Sequence, residues 1–434
     1  MLPLELFYII LGYITDDKLL LRKCSLVNHC WRNIAQQFLF KDVEVNGPID
    51  KLSNFLDNIR DHPEIPSYIH RLSFTCTSHA SGLSPASFGI ILDQLPRLKH
   101  LRLDEVLWRS STNLSFEDLE PAAKRPSRTL ETLELKRITM EKSASLHGIW
   151  DILLCFNSIR NLHLGVIPKD FVIRQPPRGT TLGCVNIERL VVERTLRADV
   201  MLAWLIHQPI VQPIQSLFFA AHSPCDYNIL ASYLVDAGSS LQDLTLNMTS
   251  KPGDQASSDI ANSGLPLKSC SLLSSLCLKT LMSRDTQTPT VVSPKCWQSQ
   301  SLSPISTFLC FGHLLRSAPT TIRHLHLVIH SFIADNWFEQ FQNADWDATI
   351  DVINRITSLE DLHFHIIVWS RRKKGGIAGN PKHIISRAVS FVKDRFAASP
   401  HKRVLRVSGD VLDDIVQYIS SKADTSSAYT NTKA

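Results

Sequence analysis

Hydrophobic positions along the chain fall into two regimes. Over the first forty-five residues the spacing is helical: Leu6, Ile9, Ile10, Tyr13 and Ile14 recur at i, i+3, i+4, i+7 and i+8, one stripe of an amphipathic helix. Pro3 fits the first helical position, with Glu5 close behind to complement the helix N-terminus. Asp16 is placed to cap a second short helix carrying Leu19, Leu20 and Leu21, and Ser25 a third in which Val27, Trp31, Ile34 and Phe38 form a stripe. Leu2, Leu4, Phe7 and Leu11 lie off the main stripe. A unit this small cannot bury apolar residues on more than one face, so the surplus predicts a partner surface, either the rest of the chain or another protein.

From about residue 66 to 409 a different period takes over. A six-residue template, apolar at its first, fourth and sixth positions, recurs at Ile69-Leu72-Phe74, Leu98-Leu101-Leu103, Leu130-Leu133-Leu135, Ile159-Leu162-Leu164 and Ile187-Leu190-Val192. It continues at Ile214-Leu217-Phe219, Leu241-Leu244-Leu246, Leu273-Leu276-Leu278, Ile322-Leu325-Leu327 and Leu359-Leu362-Phe364. The steps between central leucines are 29, 32, 29, 28, 27, 27, 32, 49 and 37 residues. Seven of nine fall within 27–32, which marks a repeat architecture. Val404–Val407 reads as an eleventh, degenerate strand. Helical spacing lies between the templates: Ser84-Pro85 opens a stripe of Phe88, Ile91, Leu92 and Leu95, and Leu146, Ile149, Trp150 and Leu153 repeat the design. Leu230, Tyr233 and Leu234 follow Asp226 and precede Gly238, and Asp347 is placed to cap Ile350, Ile353 and Ile356.

A short strand plus a helix every thirty residues cannot bury its apolar face alone, but stacked neighbours can. The expected fold is therefore α/β: a short three-helix head followed by an irregular solenoid with parallel strands. The segments are 1–45 (head), 46–65 (connecting element), 66–409 (array) and 410–434 (a capping helix from Asp410 to Ile419, then a disordered polar tail). Polar stretches at about 250–266 and 283–304 read as loop insertions.

The opening run Leu2-Pro3-Leu4-Glu5-Leu6, then Ile9-Ile10, Leu19-Leu20, Cys24-Ser25-Leu26-Val27-Asn28, Trp31-Arg32 and Leu39-Phe40, resembles an F-box in order and spacing. The array resembles leucine-rich repeats, and the pairing of the two is found in ubiquitin-ligase receptors of fungi, plants and animals. The resemblance implies the target-recognition subunit of a Skp–cullin–F-box ubiquitin ligase, non-catalytic and without cofactor. Its partners would be a Skp-type adaptor, through it a cullin, and a target protein. Leu2, Pro3, Leu6, Ile10, Leu20, Leu26, Val27 and Trp31 become candidates for the adaptor face or the local core beneath it. The array departs from the family at the third position after each template, where no asparagine ladder is present. The competing reading is an interaction scaffold whose head merely caps the solenoid.

Side chains flanking each central leucine point away from the core, because they alternate along a strand. This gives a wall on which Arg71, His100 and Arg102, then Arg189, Val191 and Phe218, form the expected target-binding face. His100, His163, His324, His326 and His363 share that wall. Only His324, His326 and His363 come from neighbouring repeats, and solvated or hydrogen-bonded imidazoles are expected there in place of a metal.

Composition narrows the classes. A net charge of +5, from 46 Lys+Arg against 41 Asp+Glu, makes no field fit for a nucleic-acid scaffold. The ten cysteines include no C-x-x-C pair, so neither a zinc ribbon nor a redox dithiol is indicated. The apolar start lacks a basic flank and a small-residue cleavage site, and no apolar run approaches 18 residues, so neither a secretory signal nor a membrane span is expected. A cytoplasmic or nuclear setting follows. The basic run Arg371-Arg372-Lys373-Lys374 reads as a solvated loop, with nuclear import or an acidic contact as the sharper alternatives. No phosphate-binding loop, dinucleotide fingerprint, zinc-protease helix or nucleophile elbow is present in the sequence.

Overall fold

The computed structural model describes residues 3–76, 82–109, 128–140, 155–165, 185–193, 214–221, 224–248, 265–282, 311–312, 314–332, 337–369 and 381–412, with Ile149, Ile152, Leu153 and Leu202. The chain divides into two compact units, Met1–Arg197 with His207–Ile214, and Ala198–Ile206 with Gln215–Ala434.

The first unit opens with α1 (Leu4–Gly12), α2 (Lys18–Cys24) and α3 (His29–Lys41). Their caps differ from the sequence expectation. Asp17, not Asp16, accepts the Leu20 N–H at 2.9 Å, and Asn28, not Ser25, accepts the Trp31 N–H at 3.0 Å. Each reaches the third N–H of its helix, the span a short side chain can bridge. Ser25 closes α2 instead, donating its hydroxyl to the Arg22 carbonyl at 2.7 Å. Pro3 stands at the N-cap of α1, one position earlier than expected.

The chain passes from α3 directly into β1 (Asp42–Gly47). The segment 46–65, expected as a connecting element, ends β1 and folds as α4 (Ile49–Arg60) and a 3₁₀ turn beginning at Ile65 (Ile65–Tyr68). α4 buries Leu52, Leu56 and Ile59 on one stripe. A strand–helix pair thus precedes the first template legible in the sequence. β2 (Arg71–Cys76), α5 (Pro85–Gln94), β3 (His100–Asp104), β4 (Leu107–Trp108), β5 (Thr129–Lys136), β6 (Thr139–Met140), β7 (Ser158–Leu164) and β8 (Asn186–Val192) follow. Ser84 caps α5 as expected, accepting the Ser87 N–H at 3.2 Å. β1, β2, β3, β5, β7 and β8 pair in parallel in that order. The register places Leu72, Leu101, Leu133, Leu162 and Leu190 opposite one another, all buried. The leucine template is this ladder.

The second unit carries β9 (Ser216–Ala220), α6 (Pro224–Ala237), β10 (Asp243–Met248), β11 (Ser275–Met282), β12 (His324–Phe332), α7 (Trp337–Gln342), α8 (Trp346–Asn354), β13 (Asp361–Trp369), α9 (Pro381–Arg395) and β14 (Leu405–Leu412). Its six strands are again parallel, with Leu217, Leu244, Leu276, Leu325, Leu362 and Leu405 in one row. α8 is capped by Asp345, which accepts the Ala348 N–H at 3.0 Å; Asp347, the expected cap, lies in the first turn. The degenerate strand at Val404–Val407 is the start of the eight-residue β14. The capping helix expected from Asp410 is corrected at its start, since Asp410, Val411 and Leu412 belong to that strand; the remainder lies outside the described residues. β14 runs on past Val407 through Gly409, where any side chain would collide with Ile385 of α9. The 283–304 insertion lies outside the described residues, and of 250–266 only the end is described, with Leu265 buried.

Among the described residues no helix is long and apolar enough to cross a membrane.

Candidate functional site

The head sorts its apolar residues in a way the periodicity alone reverses. Phe7, Leu11, Leu21, Ile34 and Ala35 form its core, with Ile14, Cys24, Cys30, Trp31, Phe38 and Leu39 packed against it. The Phe7 and Trp31 rings meet edge-on at 5.1 Å, a favoured aromatic geometry. The stripe that looked like the core face is turned outward: Leu6, Ile9, Ile10 and Tyr13 are exposed, Tyr13 at 87%. Leu19, Leu20, Leu26 and Val27 are exposed as well. Both stripes satisfy helical spacing, and the one bearing Phe7 goes inward because that ring finds Trp31 on α3. Of the thirteen large apolar side chains exposed among the described residues, ten lie between Leu4 and Val27. Covering one such side chain is worth about 1.5–3 kcal/mol, so several together leave a strong drive for association.

Of the adaptor candidates, Leu6, Ile10, Leu20, Leu26 and Val27 stand exposed, as does Pro3, whereas Trp31 is partly buried in the head core; Leu2 lies outside the described residues. α3 has a second role. It packs on the 3₁₀ turn Ile65–Tyr68, and Lys18 on α2 donates to the Asp42 carbonyl at 3.1 Å. One side of the head therefore abuts the first repeat while α1, α2 and the α2–α3 connection present apolar surface outward.

The polar row of the first unit is self-neutralised. Arg71 lies 3.8 Å from Asp42, His100 lies 3.5 Å from Glu131, and Arg102 donates to Asp104 at 2.8 Å and faces Glu134 at 3.9 Å. The expected basic lean of this wall is thus spent internally at Arg71 and Arg102, while Arg189 is exposed. Burial and Arg71 hold His100 below its ordinary value against the opposing charge of Glu131. Val191, expected as an exposed anchor, is buried: the run Leu190-Val191-Val192 is covered on both faces, as parallel strands commonly are.

Asp104 fixes the turn beyond this row. It is 2% exposed and accepts from Arg102 Nη2 and Arg137 Nε, both at 2.8 Å. Burial works against its charge, but the hydrogen bonds and charges of Arg137 and Arg102 outweigh it and hold the carboxyl below the usual range. Glu105 and Arg137, which follow β3 and β5, both take the left-handed conformation, with φ 58° and 49°, and Arg137 also pairs with Glu105. Two successive repeats thereby share one turn, after which β4 and β6 pair. Asp104→Ala should lower unfolding stability by about 1–2 kcal/mol, since it removes the buried acceptor shared by Arg102 and Arg137 while Glu134 and Glu105 stay beside them. Urea denaturation checks this, and a loss under about 0.5 kcal/mol, the range of ordinary surface changes, would contradict it.

The face of the second unit carries Phe218, Thr245, Cys277, His326, His363 and Arg406 in one register row. Phe218 is half-buried, with Lys279 Nζ 5.6 Å from its ring centroid. Its predicted neighbour Val191 belongs to the other unit. His326 and His363 stack at 4.4 Å and 11°. His365, which the sequence template missed, joins them at 5.7 Å from His363 and 6.2 Å from His326. It was missed because the template stops two positions after the central leucine, whereas β13 runs for nine residues; the alternating His363-x-His365 was the available signal. His324 is exposed and outside the stack. Parallel rings do not aim their nitrogens at one point, and among the described residues no group of three His, Cys, Asp or Glu side chains is placed to hold a metal ion. His163 lies on the first unit's wall, and the basic run 371–374 lies outside the described residues.

Compared with protein-family models and with curated proteins, the chain matches none.

Proposed function

We propose that the chain is the target-recognition subunit of a Skp–cullin–F-box type ubiquitin ligase, with the head docking a Skp-type adaptor and the repeat units holding a target protein. The observation that carries this reading is the concentration of exposed apolar side chains between Leu4 and Val27, ten of thirteen among the described residues, on α1, α2 and the turns that follow them, in a segment whose motif order resembles an F-box. The strand–helix repeats with their leucine ladders support a leucine-rich-repeat-like array, whose polar rows form the target face. Arg189, Phe218 and Lys279 are the side chains on those rows best placed to meet a target, Arg71, His100 and Arg102 being engaged with acidic neighbours. The chain performs no bond chemistry in this reading. It accelerates ubiquitin transfer by holding target lysines at high effective concentration beside a charged conjugating enzyme.

A scaffold whose head only caps the array is the second reading, favoured by the packing of α3 on Ile65–Tyr68. Co-expression with a Skp-type adaptor separates the two. A ligase receptor co-purifies with the adaptor in a stoichiometric complex, and a scaffold elutes alone.

A further inference from the structure

The last strand of the second unit is an undefended edge. β14 ends its sheet, and β13 and α9 are the elements that pack on it among the described residues. Its register with β13 runs unbroken from Leu362 opposite Leu405 to Trp369 opposite Leu412, and the strand contains neither proline nor lysine. Bulges, prolines, lysines and inward-pointing charges are the usual devices that keep an edge from pairing. Leu405, Val407 and Val411 remain half-buried, whereas Leu362, Phe364 and Val368, opposite them on β13, are fully covered.

The direction of the backbone settles which groups are free. Leu362 donates to the Val404 carbonyl at 3.1 Å, so Arg406, Ser408 and Asp410 likewise turn their backbone groups toward β13. Leu405, Val407, Gly409 and Val411 turn theirs the other way, a row of N–H and C=O groups with no strand beyond it among the described residues. Arg406 and Asp410 stand on the polar face at 65% and 66% exposure, with Ser408 midway between them. Asp361 orients Arg406, accepting from its Nε at 2.8 Å, and His365 Nε2 lies 2.8 Å from the Asp410 carboxylate.

We propose that β14 is a homodimer interface: two copies of the chain join their β14 strands antiparallel about a two-fold axis at Ser408.

That axis sets Leu405 opposite Val411 and Val407 opposite Gly409. These are the residues whose backbone groups are free, so each opposed pair exchanges two hydrogen bonds. It sets Arg406 opposite Asp410 at the positions between, where an antiparallel ladder brings side chains closest, and the small Ser408 opposite itself. An axis at Arg406 or at Asp410 would press like charges together. Any other partner has to supply a matching strand, whereas a second copy carries the complementary pattern already. A contact in which residue i meets j and j meets i closes at two copies, so this edge pairs without open-ended growth. Neither adaptor nor target enters the contact, and it stands or falls apart from the ligase reading.

Light scattering behind size exclusion, on the full chain, tests this. The wild type should elute as a dimer at micromolar concentration. Arg406→Asp alone and Asp410→Arg alone each set like charges opposite one another at both ends of the ladder, and each should weaken self-association by about tenfold or more. Mixed in equal amounts, the two variants should recover the dimer, because every position 406 then faces an opposite charge at position 410. Their altered contacts with Asp361 and His365 persist on mixing, so recovery reports the contact between copies alone. Val407→Pro removes an edge-facing N–H and leaves the bonds to β13 in place; it should give a monomer, and it serves if either charge variant fails to fold. A monomeric wild type overturns the proposal and leaves the edge to residues 413–434 or to another protein. A dimer unmoved by these substitutions, or charge variants that stay monomeric when mixed, overturns it as well.

Discussion

Placing lysines at Ile10 and Val27 together should weaken the proposed binding of a Skp-type adaptor by about 100-fold or more while leaving the unfolding temperature within about 2 °C of wild type. Both side chains are exposed in the chain, at 43% and 64%. Charging them costs little while the head stands free, because surface substitutions usually stay within about 0.5 kcal/mol. Ile10 sits in the last turn of α1, where a cation complements the helix dipole, so the helix itself is not the casualty. In a docked complex the same ammonium groups would be desolvated without partners, at several kcal/mol each. Every 1.4 kcal/mol is tenfold in affinity, which sets the size of the expected loss. Titration calorimetry with purified adaptor measures it alongside thermal unfolding. Unchanged affinity would place the adaptor elsewhere or remove it altogether. Trp31→Ala is the poorer control, because Trp31 packs on Phe7 in the head core, so its loss would unfold the helices before it reported on any interface.

The same contrast shows how far the sequence could be read. Within each unit the register of the templated strands was legible: the side chains flanking the central leucines are opposite one another, from Arg71 and His100 to Asn161 and Arg189 in the first unit and from Ser216 and Asp243 to His326 and His363 in the second. That legibility comes from the period of two along a strand, which allows only one choice once the leucines face inward. The head had no such constraint. Leu6-Ile10-Tyr13 and Phe7-Leu11 are both apolar stripes one residue apart, and the choice depends on which one meets Trp31, a contact of long sequence separation. β1 and α4 were invisible to the template because Val43 and Val45 replace its leucines and Gly47 follows at once. The target face was misjudged at Arg71 and Arg102 for a related reason. Their acidic partners, Asp42, Asp104 and Glu134, come from β1, the end of β3 and β5, and only the folded register brings them together. A wall that looks basic one strand at a time is nearly neutral as a sheet.

Removing the indole of Trp346 should cost the second unit about 3–5 kcal/mol, the largest effect expected from any single core substitution here. Trp346 is 1% exposed at the first turn of α8. Its ring meets Phe341 of α7 at 5.0 Å, Phe391 of α9 at 5.7 Å and Phe364 of β13 at 6.0 Å, so one side chain joins three helices to the sheet. Arg387 over Phe338 at 4.2 Å and Arg395 over Phe391 at 5.3 Å cover the outer rim of the cluster. The indole N–H also donates to the Phe341 carbonyl at 2.8 Å within the buried cluster. Trp346→Ala therefore opens a cavity among rings that no small shift can refill and takes a donor from a buried carbonyl. Trp346→Phe keeps most of the ring contact and loses the donor, and should cost about 1–2 kcal/mol. Native domains have about 5–15 kcal/mol in hand, so the alanine variant approaches unfolding while the phenylalanine variant does not. Urea denaturation followed by circular dichroism distinguishes them: the alanine variant shifts its midpoint well below that of the phenylalanine variant. Equal midpoints for the two would mean that the cluster closes over the missing ring, and that β13 is held to its helices by something other than Trp346.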